Sequence, residues 1–206
     1  MILVLLGDAK RSARGVDRRS ARPGFVIRCT LDYRYSIESW QTSIRCAARN
    51  EQFDPRDGAD GQAHVELRNL TYGHLRKVGR APTAVEVARA SGSSVDDVRA
   101  GWRRLHNAHA LVLNQETAEL RMLNPFSAAP SSYRVQAEGR WWYGNCAWDA
   151  FGILGALHAD GRLEASCPDC GEAVAIEVRG GRPDDTSFLF HCLVPASKWW
   201  NDILFT

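Results

Sequence analysis

Residues 145–149, NCAWD, set Cys146 and Asp149 three positions apart inside YGNCAWDAFGI, a stretch that is otherwise apolar and aromatic. If NCAWDAFGILGAL is a helix entered near Asn145, Cys146 lies in its first turn, where unpaired N–H groups and the helix dipole favour thiolate. Asp149, one turn on, shares that face. A thiolate beside a carboxyl group is a soft metal ligand paired with a proton carrier. A packed core cysteine beside a first-turn acid gives the same spacing.

Two further clusters carry sulfur. CPDCG, from Cys167 to Gly171, holds two cysteines two residues apart on a turn-forming Pro/Gly frame, which matches half of a zinc knuckle. A redox or metal-accepting dithiol is the rival reading. Further ligands would have to come from Cys146, His158, His191 or Cys192, and none of these forms a second pair with two-residue spacing. FHCLVP makes His191 and Cys192 neighbours, so on a strand they face opposite ways and only one of them joins a common site. Either is equally at home as a core residue.

The elements that would position these groups differ along the chain. Residues 1–63 are arginine-rich and punctuated by Gly and Pro, as in RSARGVDRRSARPG and DPRDGADGQ, and are expected to be a poorly ordered basic extension, even an artefact of where reading began. Within it only FVIRCTLDYRYSI alternates enough to pair as a strand. Over 64–125 the spacing predicts three helices: LRNLTYGHLRKVG, PTAVEVARASG capped by Thr83, and SVDDVRAGWRRLHNAHAL capped by Ser93 or Ser94. Their apolar sides are Val85, Val87 and Ala88, then Val95, Val98, Trp102 and Leu105. LVLNQETAELRMLNP follows as two strands around a polar turn, which is the order of a winged helix. In 126–206, NPFSAAPSSYRV reads as a connection, RWWYGNCAWDAFGILGALH as an apolar helix, and GRLEASCPDCGEAVAIEV as two strands about the knuckle. The closing ILFT reads as the start of a strand, so the domain is expected to run on.

Charge is uneven although the net is only +2: residues 1–63 and 64–125 each carry +3 and residues 126–206 carry −4. Arg99, Arg103 and Arg104 on the third helix, with Arg76, Lys77 and Arg80 before it, would suit a major groove. Asp96 and Asp97 at that helix's start oppose the reading, and so does the modest charge. The opening MILVLL is too short for a signal peptide or a membrane span, so a cytoplasmic protein with no membrane contact is expected. Without a secretory signal, six cysteines point to metal or thiolate chemistry more than to disulfides.

The succession of a winged-helix-like module, WWYGNCAWDAFGI, EASCPDCGEAV and FHCLVPASKWWNDI resembles the organomercurial (alkylmercury) lyase family over roughly residues 66–206. Its sharpest part is the tyrosine-x-x-cysteine-x-x-aspartate stretch at Cys146 and Asp149. The resemblance implies protonolysis of a carbon–mercury bond, with Cys146 ligating mercury, Asp149 relaying the proton and a second cysteine assisting. It implies no required cofactor, mercury as substrate and product, and a mercuric reductase as acceptor of Hg(II). The family's second catalytic cysteine falls where this chain has Leu189 and Phe190. Cys192 lies close by, and Cys167 or Cys170 could supply the sulfur instead. The expected fold is α+β, a winged-helix-like module followed by a lyase-like α/β module. Two other readings stand beside the enzyme: a metal-responsive DNA-binding regulator, and a catalytically silent member holding zinc at Cys167 and Cys170.

Overall fold

The computed structural model describes residues 25–27, 58–167, 171–185, 190–192 and 196–203, and only the backbone of 25–27, 58–60, 190–192 and 196–197. The helices are α1 (Gly58–Val78), α2 (Ala84–Ser91), α3 (Val95–Asn107) and α4 (Ala147–Leu157). α1 starts well before the expected helix, so residues 58–63 belong to it and not to a basic extension or linker. Gln62 donates to Glu66 one turn on, at 3.0 Å, which supports a polar first section that apolar periodicity does not mark. The rest of the expected extension lies outside the described residues, apart from strand β1 (Phe25–Ile27), part of the segment read as able to pair.

Local signals fix α2 and α3. Thr83 caps α2 in a capping box with Glu86, Gly92 closes it at φ 71°, and Ser94 caps α3 in a box with Asp97. Val87, Ala88, Val98, Trp102 and Leu105 are buried as their spacing predicts, but Val85 points outward and is 49% exposed. The buried Trp102 indole N–H donates to Thr71 Oγ1 at 3.1 Å, and that hydroxyl donates to the Leu67 carbonyl at 2.7 Å. A large aromatic ring is thus buried between α3 and α1 with its polar atom satisfied.

The remaining strands are β2 (Val112–Leu113), β3 (Leu120–Leu123), β4 (Phe126–Ser127), β5 (Tyr133–Ala137), β6 (Arg140–Gly144), β7 (Gly161–Ser166), β8 (Ala173–Arg179), β9 (Arg182–Pro183) and β10 (Phe190–Cys192). β2 to β9 form one antiparallel sheet in the order β2-β3-β4-β6-β5-β7-β8-β9, and β1 pairs with β10 in a separate ribbon. The supposed connection NPFSAAPSSYRV therefore contains β4 and the start of β5. RWWYG is strand β6 and not the start of a helix: it pairs with β5 through a two-residue turn whose Glu138 and Gly139 take φ of 53° and 74°. Two positive φ angles match the right-handed twist of the flanking strands. Because β4 pairs with both β3 and β6, the sheet runs unbroken across residue 125.

One face of this sheet is apolar, with Val135, Ala137, Trp142, Leu163, Ala165, Val174, Ile176 and Val178 buried, and α4 lies over β5, β6 and β7. Ile153, Leu154 and Leu157 of α4 join the same core as Trp102 and Leu105. The opposite face carries the pairs Arg134–Glu164, Arg162–Glu164 and Arg162–Glu177. Each fully buried aliphatic side chain contributes roughly 1.5–3 kcal/mol, against roughly 0–1 kcal/mol for an exposed ion pair. The face under α4 therefore holds the fold. Near the C-terminus, a 3-10 helix (Ala196–Asn201) stacks Trp200 on His109, with ring centroids 4.0 Å apart. Among the described residues, no helix is long and apolar enough to cross a membrane.

Candidate active site

β6 ends at Gly144, and the chain turns back there into α4. A Cβ on Gly144 would sit 2.8 Å from the Ala150 nitrogen and 3.0 Å from the Cys146 carbonyl oxygen, both backbone atoms that cannot yield. Only glycine permits so close a return. Cys146 then occupies the N-cap of α4 in extended backbone, and its Sγ accepts the Asp149 N–H at 3.4 Å. It caps the helix instead of lying in its first turn.

The electrostatic consequence reverses the expectation of a ready thiolate. Burial pushes the Cys146 thiol well above its ordinary value, and the charge of Asp149 pushes it further. The N–H groups of Asp149 and Trp148 pull it down without prevailing. Asp149 is half-buried as a residue, and loss of water around its carboxyl raises it to about 6. Asn145, through side chain and backbone, and then the Cys146 thiol restrain that rise. Among the described residues, the Asn145 Nδ2 is buried without a well-formed hydrogen bond. Near neutral pH the pair is a protonated thiol beside a predominantly ionised carboxylate.

Other side chains gather here that sequence reasoning passed over. Tyr72 of α1 donates to the Asn124 and Ala110 carbonyls, at 3.1 and 3.3 Å, under the Arg68 guanidinium 5.1 Å above its ring. Burial pushes its hydroxyl up to about 12, with the Asp149 charge adding to the rise. Tyr133, at the start of β5, has its hydroxyl raised by burial and then by Cys146 and Cys167. It is thus close to both sulfurs. Nothing in the sequence marks Tyr133, which sits in what reads as a linker.

Cys167 is buried just past the end of β7. Its N–H donates to the Glu172 carbonyl and its own carbonyl accepts from the Gly171 N–H, both at 2.8 Å, with Gly171 at φ 74°. The knuckle-like turn is present to that extent, while Cys170 lies outside the described residues. Cys192 is opposite Phe25 and His191 opposite Val26 in the small ribbon, and their side chains lie outside the described residues. His158 forms the C-cap of α4, twelve residues from Cys146 and so about 18 Å along the axis, too far to share a ligand with it. Among the described residues, no group of three or more His, Cys, Asp or Glu side chains could hold a metal.

The basic residues considered for a nucleic acid are largely engaged. Arg76 pairs with Glu138, Arg80 with Glu86, and Arg99 with Glu119, the last also accepting the Ala84 N–H. Arg104 donates to His64, and the Asp97 carboxylate closes the α3 capping box. Lys77 and Arg103 remain exposed, as does Asp96.

The alkylmercury lyase family model matches residues 126–205. The crystal structure of the mercury-bound form of MerB2 is similar to this chain in fold, with a TM-score of 0.52 and 17% identity. That alignment covers 70% of this chain, which spans 65% of the length of the other. No curated protein matches. The segment matched by the alkylmercury lyase family model, residues 126–205, is the one that carries Cys146, Asp149 and Cys167.

Proposed function

We propose that this protein cleaves the carbon–mercury bond of an organomercurial by protonolysis, with Cys146 as mercury ligand and Asp149 as proton carrier. The observation that carries the reading is the juxtaposition of Cys146 and Asp149 at the buried start of α4, within the family-matched segment. As the Cys146 sulfur bonds to mercury, the neighbouring carboxylate takes the thiol proton. In the free site this transfer is uphill, because the thiol holds its proton far more tightly than the carboxyl at about 6, and formation of the sulfur–mercury bond drives it. The proton on Asp149 then passes to the carbon as the carbon–mercury bond breaks, and mercury stays at oxidation state +2 throughout. Soft thiolate ligation is what a soft metal prefers, and no resident cofactor enters these steps. The product Hg(II) would pass to a mercuric reductase in the cytoplasm.

In the same reading, α1 to α3 with β2 and β3 are a winged-helix-like module that serves packing. α1 brings Tyr72 and Arg68 to the Asp149 end of the site, and Arg99 and Arg104 of α3 are held by Glu119 and His64. The engaged arginines weigh against the metal-responsive DNA-binding regulator.

The test uses the full chain, phenylmercuric acetate and excess thiol. Benzene should appear above a thiol-only blank, and Cys146→Ser and Asp149→Ala should each abolish it. No benzene above the blank, together with one tightly held zinc per chain, would leave a catalytically silent zinc-binding member instead.

A further inference from the structure

The strand order brings a second buried cysteine, Cys167, to the same end of the sheet as Cys146. β5 lies between β6 and β7, with Tyr133 opposite Gly144 on one side and Arg134 opposite Glu164 on the other. Cys146 follows Gly144 by two residues, and Cys167 follows Glu164 by three. Both cysteines therefore leave the sheet at the same end, flanking the start of β5, with their strands about two spacings, roughly 10 Å, apart.

Their side chains also share a face. Leu163, Ala165 and Cys167 form the buried alternation along β7, Tyr133, Val135 and Ala137 run along the same face of β5, and α4 with Cys146 at its head lies over it. Tyr133 begins the strand between them, and both sulfurs act on its hydroxyl. The sulfurs are 8% and 3% exposed as residues, so a bound metal would be shielded from competing water and thiols.

We infer that Cys167 is the second mercury ligand, closing with Cys146 a two-sulfur site over the start of β5. The inference rests on the lyase reading for its chemistry. In that setting an alkylmercury cation, R–Hg⁺, and two thiols give R–H, a neutral mercury dithiolate and one released proton. The Cys146 proton moves to Asp149 as its S–Hg bond forms. The Cys167 sulfur adds to the same mercury, and its proton leaves to solvent. The carbon–mercury bond breaks as Asp149 delivers its proton to carbon, and no electrons enter or leave.

The experiment separates ligation from cleavage. The full chain is loaded with one equivalent of mercuric chloride, challenged with excess monothiol, desalted and assayed for retained mercury. The wild type should keep about one Hg(II) per chain. Cys167→Ser should lose retention by roughly 10²–10⁴-fold, the advantage that linking two ligands confers. Cys192→Ser and Cys170→Ser should retain it. Because Cys167→Ser could misfold, a second chain keeps only Cys146 and Cys167, with Ser at Cys29, Cys46, Cys170 and Cys192. It should hold Hg(II) as the wild type does and still release benzene.

Retention that survives Cys167→Ser and vanishes in Cys192→Ser overturns the inference, and so does a wild type that retains no mercury. Failure of the four-fold variant, repaired by restoring Cys192 or Cys170 alone, does the same. Retention through Cys146 and Cys167 without any benzene release would refute the lyase reading and leave the two-sulfur site standing.

Discussion

Three helices of this protein begin with the same arrangement: a cap residue whose side chain accepts the N–H of an acid three positions on. At α2 and α3 the cap is a hydroxyl at the surface, Thr83 with Glu86 and Ser94 with Asp97, and the acid returns a bond to the cap's own N–H. At α4 the cap is the Cys146 thiol, with Asp149 turned toward a site from which most water is excluded. Arg80, then the Thr83 N–H, hold the Glu86 carboxyl well below the usual range, whereas burial lifts that of Asp149 to about 6. Local geometry alone therefore does not make a reactive pair. Sulfur in place of a hydroxyl, and an apolar face in place of solvent, set the α4 cap apart, and the proposed lyase chemistry draws on both differences.

The comparison can be broken at either end, and the largest effect is expected at the buried one. Asp149→Asn should lower the kcat for benzene release by about 10²–10⁴-fold, the usual worth of a positioned proton carrier. In the wild type, release should rise with pH through about 6 as Asp149 ionises and becomes able to take the thiol proton. The Asn variant should lack that limb, and a wild-type profile flat between pH 5 and 7 would contradict the assignment.

Stability should respond with opposite signs at the two kinds of cap. The raised Asp149 pKa means the folded state holds this proton more tightly than the unfolded chain, whose value is near 4. Stability should therefore fall as pH rises from about 4 to about 6 and stay lowered above that. For a shift of about two units the effect is on the order of 3 kcal/mol. Urea midpoints of Asp149→Asn should exceed the wild type at pH 7 and match it at pH 4. Glu86 has a depressed value, so its contribution is present at neutral pH and lost in acid. Glu86→Gln should weaken the protein at pH 7 and leave its stability in strong acid unchanged. The smallest effects belong to the hydroxyl caps, where Thr83→Ala or Ser94→Ala should each cost about 1 kcal/mol in urea denaturation.

What was legible in the sequence follows the same division between local and long-range causes. The caps Thr83 and Ser94 and the buried sides of α2 and α3 could be read directly, because a cap and a 3.6-residue stripe are written within one or two turns. β6 could not: Trp141, Trp142 and Tyr143 run together and hide the alternation, and only pairing with β5 shows Trp142 inward at 3% exposure and Trp141 outward at 38%. Spacing marks Cys146 and Asp149 as a pair but does not set the state of the thiol. Helix position argued for a low pKa, and burial, which depends on what α4 packs against, decided otherwise. That Tyr133 and Cys167 come to the same end of the sheet as Cys146 depends on the order β6-β5-β7, which no local pattern encodes.

The unbroken sheet also has a practical side. Dividing the chain at residue 125, where composition suggests a seam, would strip β4 of β3 and leave its backbone N–H and C=O groups open along one edge. Such a bare edge recruits strands from other molecules. The family-matched fragment made alone should therefore aggregate, and the helical portion is best regarded as an intramolecular shield against self-association.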